Sequence, residues 1–434
     1  MAISQNFPEE GPTLNLNFAG SKVLDPRITF SRSSVGTYMD ANGLVVTAAA
    51  DSPRFDHRYV NGEVESLGLL VEEQRINLIR YNTKHDESVW INNSNNSSET
   101  INTTETLSPD GTNNATKLFG NNGVTTRQSI YQQVSITSGT TYTFSVFLKQ
   151  GQRRYASIWF DTTTISEGAY YGAATIIDLQ TGTLATGNQT TIVPYPNGWY
   201  RCYVTATPTA TGNVSMQVSV GSPNNNVSGY IANGDGSSGI YIWGHQVEAG
   251  GFPTSYLPTS DSTVTRVHDR AYYENVDQTD WFSKTEGTVV FEHTDVPYAS
   301  TEDSDWPAVG FAKTDDGSSA TSIQYFITKD YGAAQYLVRL VPGTDVANIS
   351  PPGGTGSAAP ASKVGFVYKE DDFALVRNGS VVGTDSSGAV PAAYMLILGM
   401  NGITNTDRNW NAHLKNLQYY PTRLSNTVLQ NLTK

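Results

Sequence analysis

The chain has 434 residues, a formal net charge of −13 and only 15% charged residues. At ~150 residues per domain, this length fits about three domains, or two large β-domains with an insertion. The acidic balance and the lack of any Lys/Arg cluster exclude a nucleic-acid binder, which needs a basic surface. No apolar run approaches the ~20 residues that span a bilayer, so the sequence predicts no membrane insertion.

The residue composition predicts an all-β protein. Aromatic residues reach 11%, with 24 Tyr, and many other positions are Ser, Thr or Asn. Such residues favour short strands and polar turns, whereas helical proteins are richer in Glu, Lys, Leu and Ala. The single cysteine, Cys202, excludes an intrachain disulfide, and strand alternation places it inward. The N-terminus lacks the basic and apolar regions of a secretory signal, which favours a protein that stays in the cytoplasm where it is made.

Residues 1–82 are predicted to form a small β-rich N-terminal module. Its segments ITF, GTYM and LVVTA have the character of short strands, and Asn42-Gly43 predicts a hairpin turn between two of them. The segment VEEQRINLIRY fits a short helix and an extended passage equally well. The sequence leaves that choice open.

Residues 83–260 are predicted to form an antiparallel β-sandwich, because apolar residues alternate along several segments separated by turn signals. One face of each strand is predicted to point into the core, and it carries the following residues: Tyr142, Phe144, Val146, Leu148, Ala156, Ile158, Phe160, Tyr200, Cys202, Val204, Ala206, Ile240 and Ile242. A Greek-key jelly roll is a common arrangement for a domain of this size.

Residues 261–280 are predicted to be a linker, and residues 281–434 a second antiparallel sandwich. The dipeptide Asn378-Gly379 predicts a hairpin inside this second sandwich. Near the C-terminus, Ser425 is placed to cap a short helix, with Leu424, Val428 and Leu429 packing back onto the domain.

Several short sequence segments of the chain resemble segments of tailed-phage virion proteins, mostly tail fibres and other appendages. They are DPRITFSRSS and GLLVEEQR in the N-terminal module, then IWGHQVEAG and SYLPT near residue 250. In that family, similar phrases accompany carbohydrate-binding-module-like, concanavalin-like and laminin-G-like sandwiches. The resemblance implies an exterior virion part, a tail fibre or a head fibre or decoration. It also implies partners among other virion proteins, self-association with a trimer favoured, and host-surface glycans as a ligand.

A second set of side chains lies opposite the apolar faces of the first sandwich and forms the candidate carbohydrate site. Exposed aromatic rings offer flat platforms for sugars, and an arginine adds hydrogen-bond donors. The set consists of Tyr155, Trp159, Trp199, Arg201, Tyr203, Tyr241 and Trp243. Two alternatives stay open: the face is covered by the N-terminal module or a neighbouring subunit, or the strands pair differently.

No catalytic or metal signature is complete in the sequence. There is no G-x-S-x-G, no H-E-x-x-H and no close histidine pair. The sequence therefore predicts no enzymatic activity, no cofactor and no metal. Two alternatives remain: a glycan-degrading, tailspike-like enzyme whose carboxylates are brought together by the fold, and a cellular lectin or adhesion module.

Overall fold

The structure is a computed structural model of the chain. It describes residues 8, 10–92, 96–161, 175–187, 190–221, 233–296, 306–312, 323–330, 333–337, 349, 360–390, 392–400 and 409–434. Strands dominate these residues and helices are few, so the predicted all-β fold is confirmed. None of the helices in the described ranges is long and apolar enough to cross a membrane.

The first part of the chain contains seven short strands and one turn of helix: β1 Leu14–Leu16, α1 Phe18–Ser21, β2 Thr29–Ser31, β3 Gly36–Met39, β4 Val45–Ala48, β5 Arg54–Val60, β6 Glu63–Val71 and β7 Arg75–Asn77. The hairpin predicted at Asn42-Gly43 is present, because Met39 pairs with Val45 across it. The segment VEEQRINLIRY, for which the sequence allows either a helix or an extended passage, is extended: β6 ends at Val71 and β7 follows at Arg75.

The described residues of the middle part form twelve strands: β8 Ile91–Asn92, β9 Ser97–Thr100, β10 Thr116–Gly120, β11 Ser129–Ile136, β12 Tyr142–Lys149, β13 Tyr155–Asp161, β14 Ile176–Asp178, β15 Thr183–Thr186, β16 Thr191–Pro194, β17 Trp199–Ala206, β18 Gly212–Gly221 and β19 Gly239–Ala249. A 3-10 turn, Pro196–Gly198, joins β16 to β17.

In the last part, the residues that the structure describes form eleven strands and the C-terminal helix: β20 Val264–Arg266, β21 Arg270–Tyr273, β22 Glu286–His293, β23 Trp306–Ala312, β24 Ile323–Asp330, β25 Ala333–Leu337, β26 Ser362–Lys369, β27 Phe373–Arg377, β28 Ser380–Asp385, β29 Met395–Leu398, β30 Ala412–Tyr420 and α2 Asn426–Leu432. A 3-10 turn, Val276–Gln278, follows β21. The Asn378-Gly379 hairpin is present, and Ser425 caps α2 by accepting a 3.3 Å hydrogen bond from the Val428 amide.

Two antiparallel sheets of the middle part face each other and form the first sandwich. Their orders are β16-β17-β12-β19-β10-β9 and β15-β14-β13-β18-β11-β8. The predicted alternation is confirmed, because the inward set from both sheets fills one core. The rings of Phe144 and Phe160, one from each sheet, meet edge to face with centroids 6.2 Å apart.

The second sandwich is assembled from both ends of the chain. One sheet has the order β28-β27-β26-β22-β30-β6-β5, with β1 also paired to β30, and the facing sheet has the order β2-β21-β29-β23-β24-β25. Strands β1, β2, β5 and β6 lie before residue 82, and all the others lie after residue 263. Side chains from both ends of the chain, including Leu16, Leu69, Phe291 and Leu417, share a single core.

The domain organisation therefore differs from the predicted division at 82, 260 and 280. Most strands of residues 1–82 belong to the sheets of the second sandwich, and the predicted linker supplies β20 and β21. The first sandwich is an insertion, and the chain enters and leaves it through β7 and β20. These two strands run antiparallel with Asn77 opposite Val264, so the insertion starts and ends at one place.

The close approach of β6 to β30 depends on Gly68. It has a φ of +90°, and a Cβ there would overlap the backbone carbonyl of Leu414. Only glycine adopts this conformation without a steric penalty. Gly68 lies opposite Asp56, where the pairing of β5 with β6 shifts register. Such bulges bend a strand and change the direction of its side chains.

Candidate cleft between the two sandwiches

The predicted aromatic face is covered in this structure. Trp199 and Trp243 are each 1% exposed and Tyr241 is 6% exposed. They pack in a small second core with Phe147 and, from the N-terminal part of the chain, Val45. Both indole N–H groups are satisfied: Trp199 donates to the Leu107 carbonyl at 2.9 Å, and Trp243 donates to Asn114 Oδ1 at 2.7 Å. These side chains therefore stabilise the fold, and the prediction that they form an open sugar platform is wrong.

The other predicted aromatic residues do not join this group. Tyr155 and Trp159 lie on β13, in the opposite sheet of the first sandwich. Trp159 is 2% exposed, and the Arg127 guanidinium lies 5.5 Å from its ring centroid. Tyr155 is half-buried, and Arg154 lies 5.2 Å from its ring centroid. The seven predicted residues thus form no single surface.

Arg201 and Tyr203 are the two predicted residues that reach an open cleft. The cleft has a volume of about 310 Å³. It lies where the N-terminal strands, the edge of the first sandwich and β30 meet. Its lining comprises Thr37, Tyr38, Met39, Val45, Asp56, Leu70, Glu72, Val193, Tyr195, Arg201, Tyr203, Phe252, Pro253, Thr254, Ser255, Tyr256, Asp295, Asn411 and His413.

An Asp–His pair lines this cleft. His413 Nε2 lies 2.9 Å from Asp56 Oδ2, and both side chains are less than a fifth exposed. The backbone amides of Met39 and His57 donate to Asp56 Oδ1 at 2.7 and 2.9 Å. On the other side of the imidazole, Nδ1 lies 3.1 Å from Thr294 Oγ1. These contacts fix the carboxylate and the imidazole in one orientation.

A buried ionic cluster, called here the junction network, lies beneath the cleft. It consists of Arg32, Arg54, Glu72, Arg266 and Asp269. Arg54 contacts Glu72 at 2.6 Å and Asp269 at 2.5 Å, Arg32 contacts Asp269 at 3.1 Å, and Arg266 contacts Glu72 at 3.3 Å. All five side chains are at most 6% exposed. The network joins the N-terminal strands to the segment that leaves the first sandwich.

The electrostatics of the junction network keep Glu72 ionised. Burial alone would raise the pKa of this carboxyl, but Arg266 and Arg54 outweigh it and hold the pKa well below its usual range. The backbone amide and the hydroxyl of Ser255 also donate to Glu72, each at 2.7 Å. The network has a structural role, because its side chains are buried and its arginines contact carboxylates inside the protein.

Within the described ranges, no group of three His, Cys, Asp or Glu side chains is arranged to hold a metal ion. Two histidines do meet in the core of the first sandwich: His85 Nε2 lies 3.1 Å from His245 Nδ1. His85 Nδ1 lies 2.8 Å from Thr116 Oγ1, and the ring of Trp90 packs on both imidazoles. This pair, which the sequence did not indicate, is buried and structural.

The His85–His245 pair predicts a loss of stability in mild acid. Burial lowers the pKa of His85 to about 3, and burial together with the facing His85 holds the pKa of His245 well below its usual 6.5. Below pH 6.5 the unfolded chain therefore binds protons that the folded chain does not. The free energy of unfolding should fall as pH decreases from 6.5 towards 5, by ~1.4 kcal/mol per pH unit for each histidine.

Urea unfolding measured between pH 7.5 and 5 checks this prediction. In His85→Gln only one member of the pair titrates, so the dependence on pH should be shallower than in the wild type. Equal pH dependences for the two proteins would contradict it.

The cleft could not be found from a local signature, because its residues come from segments far apart in the sequence. Asp56 and His413 are separated by 357 positions. The sequence does indicate Arg201 and Tyr203, but as part of a different surface. What brings them to the cleft is the folding of the N-terminal strands onto the second sandwich.

Comparison with known proteins gives only weak structural likenesses. No family model matches the chain, and no curated protein matches it. The structure is similar to Trypanosoma rangeli sialidase bound to 2,3-difluorosialic acid as a covalent intermediate, with a TM-score of 0.30 and 10% identity. A mutant of that sialidase with trans-sialidase activity gives a TM-score of 0.28 and 10% identity. In both cases 73% of this chain is covered.

These matches bear on the predicted lack of enzymatic activity. The matched structures are sialidases, which contradicts that prediction, and it is not carried further. The chain spans about 60% of the length of the sialidase chains it matches. A TM-score of 0.30 and an identity of 10% assign neither a reaction nor a substrate to this chain.

Proposed function

We propose that this chain is an exterior structural protein of a tailed-phage particle, a tail fibre or a head fibre or decoration. In this role it assembles with itself and with other virion proteins and contacts glycans on the host surface. Many copies on one particle would turn weak contacts into firm attachment. A trimer is the assembly we favour.

One observation supports the proposal: the sequence segments that resemble phage proteins meet at one place in the fold. Arg32 belongs to ITFSRSS, Glu72 to GLLVEEQR and Ser255 to SYLPT. Glu72 accepts hydrogen bonds from Ser255, and Arg54 links Glu72 to Asp269, which also holds Arg32. These residues are far apart in the sequence but form one junction in the fold. The resemblance to that family therefore concerns segments that build one structural unit, and not unrelated short segments.

Labelling of particles tests the proposal. Antibodies raised against the protein should bind the outside of tailed particles released from a host that carries the gene. Sedimentation at micromolar concentration should give a trimer. Particles that contain no copy of the chain would overturn the virion role, and a monomer would overturn the predicted self-association.

A second candidate function is hydrolysis of a glycan. It is favoured by two carboxylates, Asp56 and Asp295, that line the same cleft, because glycosidases use a pair of carboxyl groups. New reducing ends after incubation with host capsule or lipopolysaccharide would support it. Loss of that activity in Asp295→Asn, with the fold retained, would place the chemistry in this cleft.

A further inference from the structure

The composition of the cleft points to the class of ligand it takes. Tyr38, Tyr195, Tyr203 and Phe252 bring aromatic rings to its lining. The three tyrosines are half-buried and line the open volume. Aromatic rings with one polar end suit ligands that alternate C–H faces with hydroxyl groups.

The rings are held in place by the surrounding structure. Tyr195 packs edge to face on Phe147, with centroids 4.9 Å apart, and the Tyr195 amide donates to the Trp199 carbonyl at 2.8 Å. The buried Phe252 has the Arg75 guanidinium 5.3 Å from its ring centroid. A site whose side chains are already fixed loses little conformational entropy when a ligand binds.

Polar groups share the lining with these rings. Asp56 is oriented by two backbone amides and by His413, as described above. Asn411 and Asp295 add an amide and a second carboxylate to the lining. Carboxylates and amides that face a small volume are suited to accept hydrogen bonds from sugar hydroxyls.

The charges of the lining favour a neutral ligand over an acidic one. Arg201 is only 7% exposed: its guanidinium donates to the Thr254 carbonyl at 2.7 Å and to Ser145 Oγ at 3.0 Å, and its Nε is buried without a hydrogen-bond partner, so little of the guanidinium reaches the open volume. Arg54 and Arg266 behind Glu72 are paired with carboxylates. An acidic sugar would therefore face the carboxylates of Asp56 and Asp295, and no guanidinium would be available to pair with its negative charge.

The size of the cleft limits the ligand to a short one. Its volume of about 310 Å³ lies at the lower end of the ~300–1,000 Å³ range of small-molecule pockets. We propose that the cleft between the two sandwiches binds a neutral saccharide of one or two sugar units. The inference rests on the proposed function, because it gives the host-glycan contact a site and a ligand class.

Saturation-transfer NMR on the full chain tests the inference. The neutral probes are glucose, galactose, N-acetylglucosamine, lactose and maltose, and the acidic probe is N-acetylneuraminic acid. At least one neutral probe should receive saturation, with a Kd on the order of 1 mM. N-acetylneuraminic acid should receive none. Binding of the acidic probe alone, or of no probe, overturns the inference.

Matched variants place the binding in the cleft. Tyr203→Ala removes a half-buried ring from the lining and should weaken binding of the neutral probe by at least ~10-fold. Tyr155→Ala removes a half-buried ring of the same predicted set on the opposite sheet, and should leave binding unchanged. Equal losses in both variants overturn the assignment to the cleft.

A second cleft variant controls for misfolding of Tyr203→Ala, since Tyr203 lies on β17, which is paired on both sides. Tyr38→Ala acts from the N-terminal strands and should weaken binding to a similar extent, with thermal unfolding as the check on the fold. Failure of this inference is separable from failure of the proposed function. Particles labelled by the antibody, together with no sugar binding, reject only the cleft assignment.

Discussion

A fragment that begins at residue 281 should fail to fold, although the sequence alone predicts a complete sandwich there. The intact core contains Leu14, Leu16, Phe18, Ile28, Leu69 and Val71, all contributed by the N-terminal part of the chain. Burying one such side chain stabilises a fold by ~1.5–3 kcal/mol, so their loss removes on the order of 10 kcal/mol. That is comparable to the whole stability of a typical domain, ~5–15 kcal/mol.

The lost strands matter as much as the lost side chains. Strand β30 pairs with β6 and β1 on one side and with β22 on the other. Without the N-terminal strands, one edge of β30 has its backbone groups exposed. Far-UV circular dichroism of the fragment 281–434 should indicate a largely unordered or aggregated chain, with no cooperative transition in urea.

The fragment 78–263 is the matched control. Both of its sheets keep every strand, and every buried residue of its main core lies inside it. We therefore expect a cooperative urea transition for this fragment. A cooperative transition for 281–434 by itself would show that the N-terminal strands are dispensable, contrary to the expectation.

Local patterns predicted the inside of the first sandwich correctly. The period of two in YTFSVFLK and YASIWF places Phe144, Val146 and Ile158 in the core, because strand geometry alone sends alternate side chains to opposite faces. Hairpin turns and the Ser425 cap were predictable for the same reason: each depends on neighbouring residues only.

Non-local pairing could not be predicted in this way. Strand β5 pairs with β6, and β6 pairs with β30, whose residues lie more than 300 positions later in the chain. Nothing in the alternation of β6 specifies that partner. The burial of Trp199 and Trp243 has the same origin, since alternation separates the two faces of a strand without showing what covers the second face.

The role of the charged residues in the N-terminal part of the chain is visible only from these non-local contacts. In the sequence, Arg54 and Glu72 have the character of solvated surface residues, which charged residues usually are. In the fold they form a buried ion pair at 2.6 Å, in surroundings where an unpaired charge carries a large desolvation cost. The junction network therefore favours the arrangement in which both ends of the chain meet at the exit of the inserted sandwich.

Replacing Arg54 by Met should lower the free energy of unfolding by about 3–5 kcal/mol, because Glu72 and Asp269 then lose a buried partner. Met fills much of the space of the side chain but carries no charge. The matched control is Arg58→Met on the same strand, where the Arg58–Glu65 pair is about half exposed and 3.0 Å long. Exposed pairs contribute less than ~1 kcal/mol. Urea denaturation at pH 7.5 measures both.

A double-mutant cycle shows whether the cost arises from unpaired charge. Glu72→Gln should be strongly destabilising in the wild type, because it removes the partner of Arg54 and Arg266. In the Arg54→Met background, Glu72→Gln should lower the free energy of unfolding by clearly less. The reason is that the Glu72 carboxylate has then already lost its shortest ion pair. Additive costs for the two substitutions, or an Arg54→Met protein as stable as Arg58→Met, would mean that the junction network does not hold the two ends of the chain together.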